Sequence, residues 1–186
     1  MDIDKKPIIE AIYSSGCLKF GKFILSSGRE SNVYIDLRLL YSHPDNFKKI
    51  VYSLVNIVKV KDIDCICGVP TGGLPLSSVV AFLLGKPFIY VRKKEKSYGR
   101  RKRIEGDVSL CKDVLVIDDV ATTGNSIKDA VLFLKDEGCH IKEALVVVDR
   151  GEGAIENLLN YGVNLISLVT LNDILDWWKM YGKSKK

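Results

Sequence analysis

The sequence predicts an α/β fold with a central, mainly parallel sheet flanked by helices. Its apolar runs are continuous rather than alternating, which is typical of strands covered on both faces. Segments with apolar residues at helical spacing separate these runs, as in a chain built from β–α units. The 186 residues are enough to bury a sizeable core, so we expect residues 1–186 to form a single domain.

In the first half of the chain, a short helix around Ile8 to Tyr13 ends at Gly16, because glycine commonly terminates helices. A strand is predicted at Val33 to Leu37. A helix is predicted from Pro44 to Lys59, since proline is favoured in the first turn and the apolar residues share one face. The strand Ile63 to Cys67, the Gly/Pro turn 68–73, a helix to Leu84 and the strand Pro87 to Val91 follow.

The second half continues the same alternation. A short apolar strand, Val114 to Ile117, leads directly into two acidic residues, and the helix after it stops at Gly138. The remaining predicted elements are the strand Ala144 to Val148, the helix Ala154 to Tyr161, the strand Val163 to Val169 and a last helix starting at a Thr170/Asp173 capping box.

Composition narrows the class of protein. Five cysteines and two histidines are present, and none has the spacing of a metal cluster, so we expect buried free thiols in a reducing compartment. The N-terminus, MDIDKKPIIEAIYSSG, does not resemble a signal peptide. No window approaches the roughly eighteen apolar residues of a membrane span. We therefore expect a soluble, cytoplasmic protein.

The net charge of +5 is concentrated in one segment, Arg92 to Arg103, which holds eight basic residues and one acid. Such a run indicates a polyanionic partner, which could be a nucleotide, a pyrophosphate or a nucleic acid.

The segment with the most specific chemistry is VLVIDDVATTGNS, from Val114 to Ser126. Small residues and Gly124 allow a tight turn whose N–H groups can converge on an anion at a helix N-terminus. No G-K-[ST] ends the turn, so it is not a Walker-type loop. Two carboxylates directly before a phosphate site suit a ligand with hydroxyls at one end and a phosphate at the other, such as ribose 5-phosphate.

This string resembles the phosphoribosyl-diphosphate (PRPP) signature of the type I phosphoribosyltransferases. The resemblance implies that Asp118 and Asp119 contact the ribose hydroxyls. It implies that the 5-phosphate is bound by Val120, Ala121, Thr122, Thr123, Gly124, Asn125 and Ser126.

Two further segments narrow the resemblance to the orotate enzymes of that family, and the resemblance as a whole spans about residues 8 to 170. Phe23 to Arg38 resembles the early substrate loop, and Arg92 to Gly106 the catalytic loop. The resemblance assigns PRPP binding to Arg92, Lys93, Lys96 and Tyr98, orotate binding to Tyr34, Ile35, Thr122 and Arg150, and catalysis to Lys96, Asp118 and Asp119.

The resemblance implies transfer of ribose 5-phosphate from PRPP to orotate, giving orotidine 5′-monophosphate and pyrophosphate, in de novo pyrimidine biosynthesis. It also implies Mg²⁺ bound mainly through PRPP with no direct protein ligand, and a homodimer with shared active sites. A small N-terminal hood (about 1–40) and a mobile catalytic loop (about 93–110) are expected.

Three positions depart from the family pattern. Ser26 and Gly72 stand where some bacterial members carry lysines, and Lys94-Glu95 reverses the usual order of charge. Two alternatives stay open: a type I transferase for another base, or a PRPP-sensing nucleic-acid-binding regulator. Arg150 and the early substrate loop argue against the first. Two observations argue against the regulator. The basic run holds a single aromatic residue, and the chain has no room for a helix-turn-helix segment, so a nucleic-acid partner is not expected.

Overall fold

A computed structural model of the chain describes residues 4–24, 30–92 and 103–181. Three predicted site residues, Lys93, Lys96 and Tyr98, lie outside the described residues, as do Ser26 and the Lys94-Glu95 pair.

The elements alternate as the sequence predicts. The strands are β1 (Leu18–Ile24), β2 (Glu30–Ile35), β3 (Cys65–Gly68), β4 (Phe88–Val91), β5 (Ile104–Glu105), β6 (Val114–Ala121), β7 (Glu143–Asp149) and β8 (Asn164–Thr170). The helices are α1 (Lys5–Ser14), α2 (Pro44–Val58), α3 (Gly73–Leu84), α4 (Asn125–Asp136), α5 (Ala154–Leu159) and α6 (Leu171–Tyr181). Short 3-10 helices cover Leu37–Ser42 and Val108–Leu110.

A six-stranded sheet in the order β5-β4-β3-β6-β7-β8 forms the centre of the fold. All neighbouring strands are parallel except the edge pair β4 and β5, which is antiparallel. The predicted α/β class with a mainly parallel sheet is therefore confirmed. Because parallel strands end at one edge of a sheet, the turns after β3, β6 and β7 lie close together.

Successive residues of β6 face opposite sides of the sheet, as the strand period of two requires. Leu115 and Ile117 pack with the core cluster that includes residues of α1, α2, α3 and α6. Val114 and Val116 pack with the cluster that includes residues of α4 and α5. The sheet is thus covered on both faces, which explains its continuous apolar strands.

Three sheet details differ from the predictions. β1 was not predicted; it pairs antiparallel with β2 in a separate two-stranded sheet. Its sequence LKFGKFI mixes lysines with apolar residues because most of its side chains are exposed. The two-residue strand β5 was also not predicted. β6 continues past Ile117 to Ala121, because Asp118, Val120 and Ala121 pair with β7.

The predicted capping box at the start of α6 is confirmed. The backbone N–H and Oγ1 of Thr170 both donate to Asp173 Oδ2 at 2.7 Å, and the Asp173 N–H donates to Thr170 Oγ1 at 3.2 Å. Within the described residues, no helix is long and apolar enough to cross a membrane.

The prediction of free thiols is wrong for two of the five cysteines. Cys65 and Cys111 form a disulfide, with Cα atoms 5.1 Å apart. Cys65 begins β3 and Cys111 lies just before β6, and these strands are neighbours in the sheet. Cys17, Cys67 and Cys139 are buried free thiols, as predicted.

Candidate active site

A cavity of about 500 Å³ opens at the carboxyl ends of β3 and β6. It is lined by residues of the β2 hairpin, the turn after β3, the end of β6 and the turn after β7: Ile24, Tyr34, Ile35, Asp36, Arg38, Pro70, Thr71, Gly72, Asp118, Asp119, Val120, Thr122, Ser126 and Arg150. This is the edge where ligands bind in open α/β sheets.

Asp118 and Asp119 lie inside β6 rather than in the turn that follows it, which corrects the prediction of a strand ending at Ile117. Each carboxylate accepts a hydrogen bond from the next backbone N–H: Asp119 N to Asp118 Oδ1 at 2.8 Å, and Val120 N to Asp119 Oδ1 at 2.9 Å. Asp118 is buried, whereas Asp119 is partly exposed and lines the cavity. The hydrogen bonds fix the direction of both side chains before any ligand binds.

A second, smaller cavity of about 270 Å³ adjoins the first. It is lined by Asp118 and by the turn and helix start after it: Val120, Ala121, Thr122, Thr123, Gly124, Asn125, Ser126 and Ile127. Gly124 adopts a left-handed φ of 74° at the start of α4. The first N–H groups of α4 lack helical partners, so they and the nearby hydroxyls are available to an anion. The structure thus brings together the residues predicted to bind a phosphate.

Arg150 is buried between the β2 hairpin and the turn after β7. Its Nε donates to Glu152 Oε1 at 2.6 Å and its Nη2 to Ser31 Oγ at 3.1 Å. Its Nη1 donates to the Val33 carbonyl at 3.4 Å. These contacts place the guanidinium beside the cavity wall formed by Tyr34 and Ile35. All four predicted orotate residues, Thr122 included, therefore line one cavity.

The turn after β3 packs against the two aspartates. A Cβ built on Gly72 would lie 1.9 Å from Asp119 Oδ2. Tyr41 donates from its Oη to the Gly72 carbonyl and so anchors the turn. Burial, with the nearby charges of Asp119 and Asp118, raises the pKa of Tyr41 well above its usual value. Tyr41 is therefore a neutral donor near neutral pH.

Sequence reasoning missed the pair formed by Asp36 and Arg38. Arg38 Nε and Nη2 donate to the two carboxylate oxygens of Asp36 at 2.6 and 2.7 Å. The hydrogen bonds from Arg38 lower the pKa of Asp36, so both groups are charged near neutral pH. The local sequence did not indicate this pair, and only the fold shows that Arg38 lines the cavity.

Arg92, the one PRPP-binding residue predicted in the catalytic loop that lies within the described residues, is outside the main cavity. Its Nη1 contacts Glu105 Oε1 at 3.2 Å, and its backbone N–H donates to the Arg103 carbonyl. It lines a neighbouring cavity of about 290 Å³ together with Pro70 and Ser126. Arg92 is therefore close to the phosphate turn without facing the two aspartates.

The fold and the position of this cavity define a phosphoribosyltransferase. Residues 40–161 match the family described as phosphoribosyl transferase domain. A relative from Sulfolobus acidocaldarius, an orotate phosphoribosyltransferase, is 44% identical over 168 residues, 90% of this chain and 85% of the relative.

Solved structures agree. The orotate phosphoribosyltransferase of Aeropyrum pernix superposes with a TM-score of 0.84 at 40% identity, covering 93% of this chain and 98% of that one. The Mycobacterium tuberculosis orotate phosphoribosyltransferase in complex with PRPP superposes with a TM-score of 0.73 at 28% identity, covering 92% and 98%. The chain belongs to the orotate phosphoribosyltransferase family.

Proposed function

We propose that this protein transfers ribose 5-phosphate from PRPP to orotate, giving orotidine 5′-monophosphate and pyrophosphate in pyrimidine biosynthesis. The proposal rests on one observation: two adjacent cavities share lining residues at the same edge of the sheet. One has the chemistry of a phosphate site, and the other brings two carboxylates and a buried arginine to a shared space.

In this proposal the 5-phosphate lies in the smaller cavity, where it accepts from backbone N–H groups of residues 122–126 and from the hydroxyls of Thr122, Thr123 and Ser126. The start of α4 adds a favourable dipole. Asp118 and Asp119 directly precede the phosphate turn in the chain and line the adjoining cavity, and carboxylates are strong acceptors for the hydroxyls of a ribose. This arrangement supports PRPP as the ligand, because PRPP carries both groups on one ring.

Orotate would lie against Tyr34 and Ile35, with its carboxylate directed at Arg150. Arg150 is only 7% exposed and already fixed by three contacts. A charge buried in this way makes strong, oriented hydrogen bonds to a carboxylate. Thr122 lies between the two sub-sites and would adjoin both substrates.

In the reaction, the bond between ribose C1 and the pyrophosphate oxygen breaks, and its electron pair leaves with the pyrophosphate. Orotate N1 bonds to C1, and the proton of N1 passes to water or to the departing pyrophosphate. Positive charge develops on the ring and negative charge on the leaving group, so Asp118 and Asp119 on the sugar side and Lys96 on the pyrophosphate side would each stabilise the transition state. Arg92, Lys93 and Tyr98 would complete the diphosphate site.

Phosphoribosyltransferases generally use Mg²⁺ with PRPP, and the donor set here suits a metal that takes most ligands from its substrate. Among the described residues no group of three or more His, Cys, Asp or Glu could hold a metal ion. In this proposal Asp118 and Asp119 bind the ribose hydroxyls, so Mg²⁺ would be held mainly through PRPP with no direct protein ligand. Mg²⁺ favours oxygen ligands and retains waters, and when bound it would neutralise charge on the pyrophosphate.

We also propose a homodimer with shared active sites and a cytoplasmic location. The first rests on the likeness of Arg92 to Gly106 to a loop that reaches the neighbouring subunit in this family. The second rests on the substrates, since highly charged phosphates do not cross a bilayer unaided.

Turnover tests the proposal. When purified protein is mixed with Mg²⁺, PRPP and orotate, the absorbance of orotate should fall. The amount of pyrophosphate released should equal the amount of orotate consumed. Uracil, adenine and hypoxanthine in place of orotate serve as controls for another base. Turnover with one of these and none with orotate would refute the assignment of orotate. Binding of a DNA or RNA oligonucleotide, without turnover, would instead favour the regulator.

A further inference from the structure

We propose that Arg38 binds the diphosphate end of PRPP, and with it the pyrophosphate product. The inference rests on the proposed function and adds a residue to it. Arg38 ends the segment that resembles the early substrate loop, but the resemblance assigned no role to it, and the role proposed here follows from the charges and geometry of the cavity.

The first argument is the balance of charge. Among the described residues that line the larger cavity, three are acidic (Asp36, Asp118 and Asp119) and two are basic (Arg38 and Arg150). Arg150 is buried and bonded to Glu152, Ser31 and Val33. A ligand with two phosphate groups at one end needs positive charge in this space. Arg38 is the other basic residue that the described part of the cavity offers.

The second argument is position. Arg38 belongs to the 3-10 helix Leu37–Ser42, and Tyr41 of the same helix donates to the Gly72 carbonyl. The helix is thereby attached to the turn after β3. Arg38 lines the larger cavity with Pro70, Thr71 and Gly72 but does not line the smaller cavity of the phosphate turn. It therefore lies toward the end of the site opposite the 5-phosphate.

The third argument is orientation. Asp36 accepts from Nε and Nη2, which fixes the plane of the guanidinium. Arginine has five N–H donors, and its contacts with side chains of the described residues use two of them, which leaves three for a ligand in this part of the chain. The side chain is 57% exposed, which leaves those donors accessible. A preoriented guanidinium loses little conformational entropy on binding a phosphate.

The fourth argument concerns the turn itself. Gly72 has no side chain, and the space that a Cβ would need is occupied by the Asp119 carboxylate. The turn therefore offers backbone groups but no cation to the diphosphate. Arg38, on the 3-10 helix that is attached to this turn, supplies a guanidinium that the turn itself lacks.

Two variants and one control test the proposal. Arg38→Ala removes the side chain, and Arg38→Gln keeps most of its length without the charge. Lys48→Ala removes an exposed positive charge from α2, outside both cavities, and controls for net charge. Thermal unfolding followed by circular dichroism checks that each variant folds. Calorimetry then gives affinities for pyrophosphate with Mg²⁺, for ribose 5-phosphate and for orotate.

We expect Arg38→Ala to lower the affinity for pyrophosphate by on the order of tenfold or more, because a hydrogen bond to a charged group is lost. The KM for PRPP should rise by a similar factor. The affinities of Arg38→Ala for ribose 5-phosphate and for orotate should change by less than about twofold. Lys48→Ala should leave the affinities for all three ligands unchanged. Arg38→Gln should behave like Arg38→Ala.

An equal loss of affinity for all three ligands would show a structural role for Arg38 and overturn the proposal. An unchanged affinity for pyrophosphate, or a loss of affinity for orotate alone, would also overturn it. A wild-type protein that binds pyrophosphate but does not convert orotate would instead refute the proposed function. In that case the calorimetric comparison still decides the role of Arg38.

Discussion

Replacing Gly72 with alanine should displace Asp119 and leave the backbone intact. The backbone of Gly72, with φ −71° and ψ −31°, is one that alanine adopts readily. The difficulty lies in the new methyl group. Its Cβ would meet Asp119 Oδ2 at 1.9 Å, Cγ at 2.4 Å and Oδ1 at 2.8 Å. These distances are too short for any relaxed contact, so the carboxylate must rotate away.

The size of the effect follows from what Asp119 is proposed to do. Alanine at a compatible backbone position stabilises a fold by about 0.4–1 kcal/mol, which offsets part of the cost of moving Asp119. The rotated carboxylate would lose its contact with a ribose hydroxyl, and a hydrogen bond to a charged group contributes about 1.5–3 kcal/mol. The KM for PRPP should therefore rise about 10- to 150-fold, while the melting temperature changes little.

A double-mutant cycle makes the test specific. Gly72→Ala, Asp119→Ala and the double variant are compared for KM of PRPP and for melting temperature. If Gly72→Ala acts by moving Asp119, it should have little further effect in the Asp119→Ala background. Two independent, additive losses, or a Gly72→Ala variant with wild-type KM, would refute the reasoning from this contact.

Three further predictions concern other parts of the chain. Arg150→Ala should lower the affinity for orotate by about 10- to 100-fold and the affinity for PRPP much less. Separate titration of each substrate measures this, and equal losses of affinity would contradict the assignment. Lys96→Ala should lower kcat by on the order of 100-fold with the fold retained, and an unchanged kcat would exclude a catalytic role. Burial acts to raise the pKa of Asp173, but hydrogen bonds from Thr170 and Lys5 lower it overall. The stabilisation from a lowered pKa is fully present above the unfolded pKa and is lost as the pH falls through the folded pKa. Thr170→Ala should therefore cost about 1 kcal/mol at pH 7 and less as the pH falls below the usual range of aspartate. Urea unfolding at several pH values measures this difference.

The sequence predicted the parallel sheet because its strands are buried on both faces, and that burial requires continuous apolar runs. It predicted the phosphate turn because small residues and Gly124 are needed for tight backbone geometry. The end of β6 was placed too early, since two acids after an apolar run resemble a turn. The strand continues because β7 supplies hydrogen-bond partners as far as Ala121, and this pairing is not visible in a local pattern.

Contacts between distant segments were the other features that sequence reasoning could not supply. Cys65 and Cys111 are 46 residues apart and meet because β3 and β6 are neighbours. No role for Arg38 was predicted from the sequence. Its place in the cavity depends on the 3-10 helix after β2, which packs on the turn after β3. Both cases require the order of the strands or the packing of a helix to be known first.

The disulfide also changes what a single break in the chain would do. Cys65 precedes the lysine-rich segment and Cys111 follows it. A protease such as trypsin that cuts once between Lys93 and Lys102 would therefore leave two fragments that remain covalently joined. On a denaturing gel they should migrate together without reductant and separate with it. Because β3 and β6 also pair along their length, a protein cut in this way should keep the sheet that supports both cavities.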